Sequence, residues 1–224
     1  MSLAKNCLVI GGGSDIGGAI VRQLHAAGHN VTSTYFHSCE QAKKLPGKII
    51  KCNLNHVVEI LDVLDVTGNL DLLVTSAFPF IEAHNFDYGA YLEAETILRG
   101  HIFAITNAVK IMNRGGKIIN ILGQCVERGL PGAAFYSAAF AFLNNYGNSV
   151  NGKEGKEGKV QVCSLLLGPV DTREWSGLSE DVVKRYKTKV ADFISTKQVA
   201  KTVQLIFEQP IVPSTFKLDA FYGN

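Results

Sequence analysis

The chain of 224 residues is 46% hydrophobic and 19% charged, and its formal net charge is +2. This composition supplies enough apolar residues for a sizeable core and excludes an intrinsically disordered chain. The small net charge, without any basic run interleaved with aromatic residues, argues against a nucleic-acid partner.

Cysteine usage and hydropathy indicate the compartment. The five cysteines are scattered, odd in number and free of any C-x-x-C pair, which argues against a disulfide framework or a zinc site. We therefore expect no metal, a reducing environment and a cytoplasmic location. No long apolar region precedes a small-residue cleavage site, and the most apolar stretch, 70–81, is short and carries Asp71. Neither a signal peptide nor a membrane span is expected.

Short β-branched runs alternate with helical segments along the chain. Strands are predicted at 6–10, 30–36, 48–52, 70–75, 117–122 and 160–167, and helices at 15–27, 55–66, 88–113, 134–150 and 196–208. In the second helix Val57, Leu61 and Leu64 recur at helical spacing. Such alternation, with nearly continuous apolar strands, predicts an α/β fold in which helices cover both faces of a parallel sheet. The glycine- and charge-rich segment 151–159 is expected to be a solvated loop, and a single domain is expected over 1–224.

The sequence V-I-G-G-G-S-D-I-G-G-A-I, residues 9–20, follows the first strand and opens the first helix. Gly11 permits a tight turn, Gly13 lets the backbone approach a pyrophosphate, and Gly17 allows close packing of helix on strand. The helix N-terminus then offers N–H groups and a positive dipole to phosphates. The alternative is a purely structural turn, but the strand–loop–helix context favours a dinucleotide site.

The residues after the second strand bear on the choice of cofactor. An NAD enzyme places an acidic residue there for the ribose hydroxyls, whereas this chain reads Tyr-Phe-His-Ser at 35–38, with no acid before Glu40. His37 and Ser38, with Lys43 and Lys44 nearby, are candidates for contact with a 2′-phosphate. Ordinary surface residues remain an equal alternative. The sequence therefore favours NADP over NAD only weakly.

The first half of the chain resembles the short-chain dehydrogenase/reductase family in three motifs. The family's TGxxxGIG corresponds to residues 10–17, the acidic–aliphatic pair that flanks adenine to Asn53–Leu54, and its NNAG to residues 75–78. The resemblance implies a Rossmann-type, doubly wound parallel sheet of about seven strands with an NAD(P) cofactor.

The second half continues the resemblance. The family's NISS, YxxxK and PGxVxT motifs correspond to residues 120–123, 136–140 and 167–172, and the tail 215–224 resembles its closing strand. Together with the glycine loop, the resemblance implies cofactor-binding residues at Gly11, Gly13, Ser14, Asp15, Ile16, Gly17, His37, Asn53, Leu54, Ser76, Ala77, Gly168, Val170 and Thr172.

The catalytic positions of the family are largely replaced. Gly123 stands where the family has a serine, Phe140 where it has a lysine, and Ile97 and Leu98 where it has an asparagine. Only Tyr136, the family's proton donor and acceptor, is retained. Because residues four apart share a helix face, Phe140 removes the cation that would activate this phenol. We expect a neutral donor that serves reduction better than oxidation.

Several hypotheses follow from the resemblance. The first is a divergent NAD(P)-dependent oxidoreductase that reduces a small carbonyl or enone compound, with Tyr136 as proton donor. The second is a catalytically impaired dinucleotide-binding or scaffold protein, and the third is non-redox chemistry such as isomerisation or dehydration. Phe78, at a glycine of NNAG, and the replaced catalytic positions keep the second hypothesis open. Tyr136 and Phe140 are equally interpretable as core residues.

The helices and the segment after the sixth strand imply further properties. The helix 134–150 is apolar almost all round, so we expect a homodimer or homotetramer that packs through it and through 88–113. Residues 173–195 correspond to a variable substrate lid. Trp175 in this segment either caps an apolar ligand or packs the segment down. Cys125 is expected to be an inert thiol, since no base or cation suits it as a nucleophile.

Overall fold

The computed structural model describes residues 3–81, 87–177, 180, 183–184 and 192–219. The strands are Asn6–Ile10 (β1), Asn30–Tyr35 (β2), Lys48–Lys51 (β3), Leu70–Thr75 (β4), Met112–Gly123 (β5), Val160–Leu167 (β6), Val170–Asp171 (β7), Ile194–Ser195 (β8) and Thr215–Leu218 (β9). Seven of them form one parallel sheet in the order β3-β2-β1-β4-β5-β6-β9, and β7 pairs separately with β8.

Helices cover both faces of the sheet. They are Asp15–Ala26 (α1), Cys39–Ala42 (α2), Val57–Thr67 (α3), Tyr88–Ile111 (α4), Cys125–Arg128 (α5), Ala134–Val150 (α6) and Thr196–Glu208 (α7). Buried residues of α1 and α7 form one core against the strands, and those of α3, α4 and α6 form a second core on the opposite face. The predicted Rossmann-type, doubly wound sheet is therefore confirmed. No described helix combines the length and the apolarity needed to cross a membrane.

The strand order reverses beside β1, and this reversal places the site. β1 pairs with β2 on one side and with β4 on the other, so Ile10 lies opposite Thr75. Thr75 in turn lies opposite Asn120 of β5. In open α/β sheets ligands bind beyond the carboxyl ends of the strands at such a reversal. The loops after β1, β4 and β5 therefore meet at one edge.

The end of the fourth helix differs from its prediction. The chain leaves the helix at Ile111 and begins β5 at Met112, where the backbone is already extended, whereas the sequence predicted a helix to 113. Gly115, with a φ of 81°, and Gly116 follow after Asn113 and Arg114. Two adjacent glycines disfavour helix and allow the irregular start of β5 against β4.

The buried face of α3 also differs from the predicted pattern. Ile60 and Leu64 point into the core with Val63, while Val57 and Leu61 are exposed. Both sets have helical spacing, so periodicity alone could not choose between them.

The segment after α6 was predicted to be a loop, but Asn151–Gly155 continues α6 as a π-helical turn. The Asn151 amide donates to the carbonyl oxygen of Val162 (2.6 Å) and accepts from its N–H (2.7 Å). These two bonds hold the turn against β6. That residues 1–224 form one domain stays a prediction.

Candidate functional site

The glycine loop joins β1 to α1 through contacts that exclude side chains. Gly11 has a φ of 88°, and a Cβ built on it would lie 2.8 Å from the backbone of Ala77. A Cβ on Gly17 would overlap the carbonyl oxygen of Gly11. The loop therefore requires glycine at both positions, and it brings Gly11, Gly17 and Ala77 together.

Ser14 closes the loop as the N-cap of α1. Its hydroxyl donates to the carbonyl oxygen of Gly11 (2.9 Å) and accepts from the N–H of Gly17 (3.0 Å). The first turn of α1, from Asp15 through Ile16, then faces the carboxyl edge of the sheet. A helix N-terminus in this position has the N–H groups and the dipole that suit a diphosphate.

The end of β2 packs directly on the loop. A Cβ on Gly13 would lie 3.0 Å from the Cβ atoms of both Tyr35 and Ser38. The ring of His37 packs on Phe36, with 4.2 Å between centroids. Lys43, which the sequence placed near a 2′-phosphate, donates to Glu40 (2.9 Å), so its charge is already paired in this structure.

The loops after β3 and β4 complete this end of the site. The N–H of Asn53 donates to Glu59 Oε2 (2.7 Å), and the backbone of Leu54 lies against Gly100 of α4. The N–H of Ser76 donates to the carbonyl oxygen of Ile10 (2.9 Å). Asn53–Leu54 and Ser76–Ala77 therefore sit at the same edge of the sheet as the glycine loop.

The loop after β6 lies at the same edge of the sheet, on the β5 side of β1. The N–H of Gly168 donates to the carbonyl oxygen of Leu218 (2.9 Å), and Val170 pairs with Ile194 in the small ladder of β7 and β8. Beyond Thr172 the chain forms a 3-10 helix, Arg173–Gly177. The rest of the segment that the sequence assigned to a lid lies partly outside the described residues.

Tyr136 lies in an aromatic cluster. Its ring centroid is 4.3 Å from Phe140, 5.3 Å from Phe80 and 5.7 Å from Phe78. Phe78 also packs on Phe140 at 4.9 Å. Phe140 is only 3% exposed, so the position one helical turn after Tyr136 is filled by a buried phenyl ring. The three phenylalanines present an apolar wall to the phenol.

Gly123 lies next to this cluster at the end of β5. A Cβ on Gly123 would be 3.4 Å from Cε2 of Phe140 and 3.3 Å from Sγ of Cys125. Burial raises the pKa of the Cys125 thiol, which makes a reactive thiolate unfavourable at neutral pH. A side chain at Gly123 would therefore be in tight contact with a ring and an inert thiol, and these neighbours would have to shift by a few tenths of an ångström.

His101, which the sequence analysis missed, is buried on α4 beside the cluster. Its ring lies 5.7 Å from Phe78, and Nδ1 donates to the carbonyl oxygen of Ile97 (2.9 Å). Burial lowers the pKa of His101 to about 4, so the ring is neutral at pH 7. The spacing along the helix could have identified His101 from the sequence. It is four residues from Ile97 and three from Leu98 and therefore shares their helix face.

An ion pair that the sequence did not suggest links α1 to the segment after β7. Nε of Arg173 donates to Oδ1 of Asp15 (2.8 Å), and the N–H of Arg173 donates to Oδ2 (2.8 Å). The Arg173 side chain holds the pKa of the Asp15 carboxyl below its usual value. Asp15, predicted as a cofactor-binding residue, therefore has its carboxylate occupied by the protein.

Trp175 packs the same segment onto the body of the molecule. Its Nε1 donates to the carbonyl oxygen of Val170 (2.6 Å), and its ring lies 4.8 Å from Phe193. These contacts favour the interpretation in which Trp175 holds the segment down. Among the described residues, no three His, Cys, Asp or Glu side chains are grouped so that they could hold a metal ion.

Comparison with known proteins gives sequence relatives. A family model described as enoyl-(acyl carrier protein) reductase matches residues 11–208. The 3-oxoacyl-[acyl-carrier-protein] reductase FabG of Rickettsia conorii is 32% identical over 153 residues, which are 62% of this chain and 62% of that protein. The match thus spans less than two thirds of the length of this relative.

Solved structures show the same fold. A blue fluorescent protein from a metagenomic library, in complex with NADPH, has a TM-score of 0.88 at 22% identity and is covered over 100% of both chains. A short-chain dehydrogenase from Burkholderia cenocepacia J2315, in complex with NADP, has a TM-score of 0.86 at 22% identity and 96% coverage of each chain. At this identity the likeness establishes the fold.

The burial of His101 generates a pH-dependent prediction. The folded chain keeps His101 neutral down to about pH 4, whereas an unfolded imidazole is protonated near pH 6.5. The unfolded state therefore binds more protons below pH 6.5. Stability from this group is fully present above pH 6.5 and is lost as the pH falls toward about 4, by roughly 3 kcal/mol.

Urea denaturation at pH 7, 5.5 and 4.5 measures this effect. We expect the His101→Gln variant to lose less free energy of unfolding between pH 7 and 4.5 than the unsubstituted protein does. The exposed histidine variant His25→Gln is the control and should follow the unsubstituted protein. Equal pH slopes for all three proteins would contradict the prediction.

Proposed function

Because the chain belongs to the short-chain dehydrogenase/reductase family, we propose that it is a divergent NADP(H)-dependent oxidoreductase that reduces a small carbonyl or enone compound. The observation that carries the proposal is the glycine loop, in which Gly11 and Gly17 leave no room for a side chain and Ser14 caps the helix. The NADPH and NADP bound by the two similar structures favour NADP(H) over NAD.

The residues present fit such a cofactor. The main chain from Gly11 to Gly17 would hold the diphosphate at the N-terminus of α1. Asn53 and Leu54 would flank the adenine, and His37 would lie toward a 2′-phosphate. Ser76 and Ala77, with the segment from Gly168 through Val170 to Thr172, would contact the nicotinamide half. When bound, NADPH supplies a hydride.

Tyr136 would supply the proton of the reduction. Its phenol would donate to the carbonyl oxygen as the carbonyl carbon accepts the hydride, and the phenolate left behind would take a proton from water. The rings of Phe78, Phe80 and Phe140 pack on the phenol and would limit the access of water. A neutral donor of this kind contributes typically 10²–10⁴-fold to a rate.

A second candidate is a dinucleotide-binding protein without redox turnover. The buried ring of Phe140 favours it, because a phenyl group offers neither a charge to the Tyr136 phenol nor a hydrogen bond to a ribose. Gly123 likewise offers no side-chain donor to a substrate oxygen.

The protein is proposed to assemble as a homodimer or homotetramer through α4 and α6. Phe142 on α6 is 51% exposed, and Tyr88, Tyr91 and Leu92 near the start of α4 are exposed as well. These exposed apolar side chains on both helices support the proposed assembly, because contiguous apolar surface tends to mark interaction sites.

The cofactor proposal is tested at Gly17. Calorimetry with NADPH should show binding, with NADH weaker, and Gly17→Ala should abolish the binding because the added Cβ displaces the Gly11 peptide. The control is Gly152→Ala, since a Cβ at Gly152 meets no atom within 4 Å. If the unsubstituted protein gives no heat with either nucleotide up to millimolar concentration, the proposal fails.

The catalytic role is tested at Tyr136. Tyr136→Phe should abolish NADPH-dependent reduction while leaving the affinity for NADPH nearly unchanged. The double substitution Gly123→Ser with Phe140→Lys should raise turnover, because it adds a hydrogen-bond donor and a cation beside the phenol. The gain should be larger for alcohol oxidation, which needs the ionised tyrosine.

A folding check must precede this assay, because an unpaired lysine in an apolar site costs stability. Should the folded double variant bind NADPH and still reduce none of a panel of small carbonyl and enone compounds, the second candidate function replaces the first.

The assembly is tested at Phe142. Light scattering at micromolar concentration should show a dimer or tetramer, and Phe142→Glu should shift it toward monomer, because a carboxylate in an apolar interface is strongly unfavourable. Leu205→Glu is the control, since Leu205 is equally exposed but lies on α7. A stable monomer for the unsubstituted chain would refute this assembly.

A further inference from the structure

The ion pair between Asp15 and Arg173 joins two parts of the chain that are 158 residues apart. One carboxylate accepts from the backbone N–H of Arg173 and from its Nε, and Nη2 lies against Oδ1 as well. Because Asp15 accepts hydrogen bonds from both the main chain and the side chain of Arg173, it fixes the position of the Arg173 backbone and also that of the guanidinium group. The start of the 3-10 helix after β7 is thereby held on the first turn of α1.

The location of this pair is unusual for a phosphate site. Asp15 is the first residue of α1, directly after the Ser14 cap, in the turn that is proposed to receive a diphosphate. A carboxylate in the first turn stabilises the helix through the dipole, but beside a diphosphate it adds repulsion between like charges. The positive charge of Arg173 offsets that repulsion.

Arg173 has donors to spare. A guanidinium carries five N–H groups in a planar fork, and Asp15 engages only one edge of it, through Nε and Nη2. The Arg173 side chain is 59% exposed, and among the described residues no second carboxylate pairs with it. The remaining N–H groups can therefore bind an anion while the pair with Asp15 persists.

We propose that Arg173 binds the cofactor's diphosphate, and that Asp15 holds the guanidinium over the glycine loop while reducing its net charge. The inference rests on the proposed cofactor site, and it adds a residue outside the glycine loop to that site. It also assigns opposite effects on affinity to the two members of one ion pair.

Isothermal titration with NADPH and NADH at low ionic strength tests the inference. Arg173→Gln should weaken both nucleotides by about tenfold and by the same factor, because the diphosphate is common to both. Asp15→Asn keeps an oxygen that accepts from Arg173 but removes the negative charge, so both nucleotides should bind at least as tightly, by up to about threefold. Both changes should shrink at high salt, which screens exposed charges.

A matched control and the variant Arg173→Lys complete the design. Lys159→Gln breaks an exposed ion pair with Glu157 elsewhere on the molecule and should leave both dissociation constants unchanged. Arg173→Lys should fall between the unsubstituted protein and Arg173→Gln, because it keeps the charge and loses the fork. Fluorescence of Trp175, the single tryptophan, reports whether each variant keeps the segment packed.

Three results would overturn the inference while leaving the cofactor proposal intact. One is an unchanged affinity in Arg173→Gln. Another is a loss confined to NADPH, which would place Arg173 at the 2′-phosphate. The third is an equal weakening by Asp15→Asn and Arg173→Gln, which would make the pair a structural tie only. If the unsubstituted protein binds neither nucleotide, the proposed function fails and this inference fails with it.

Discussion

The close approach of α1 to the end of β1 is the constraint on which the site depends. Gly17 carries no Cβ, so the peptide of Gly11 can lie against the helix, and Ser14 closes the turn with two hydrogen bonds. This contact fixes the N-terminus of α1 at the carboxyl edge of β1 and beside Ala77. Parallel strands end at a common edge of the sheet. The loops after β4, β5 and β6 therefore reach the N-terminus of α1 without any additional interaction.

Aromatic rings pack around Tyr136. Phe140 fills the position one helical turn after Tyr136, and Phe78 contacts both rings. A lysine at the buried Phe140 position would need a partner for its charge, whereas a phenyl ring needs only apolar neighbours. A phenyl ring at position 140 itself supplies no cation to the phenol. Under the proposed function, a phenol without a lysine one turn away would serve carbonyl reduction, which needs a neutral donor, better than alcohol oxidation.

The fold could be predicted from the sequence because the patterns that indicate it are local. Strand runs, helix periodicity and the glycine loop each lie within a few residues, and they predicted α6 and α7 with the observed bounds. The Asp15–Arg173 ion pair could not be predicted from the sequence, because no local pattern relates two residues that are 158 positions apart. The burial of His101 depends on how α4 packs over Phe78. On α6, which is apolar almost all round, periodicity could not separate the buried Phe140 from the exposed Phe142.

The two ends of the proposed cofactor site rest on different interactions. At the end near Tyr136 the wall is aromatic, and a phenyl ring at Phe140 donates no hydrogen bond to a ribose. At the other end the glycine loop, the α1 dipole and the Arg173 guanidinium all favour negative charge. Binding free energy would then come mainly from the phosphates, which remain the same whether the nicotinamide is oxidised or reduced. The affinity for the dinucleotide would therefore depend little on the residues around Tyr136 that carry out the redox step. For this reason, dinucleotide binding without turnover is chemically reasonable on this fold.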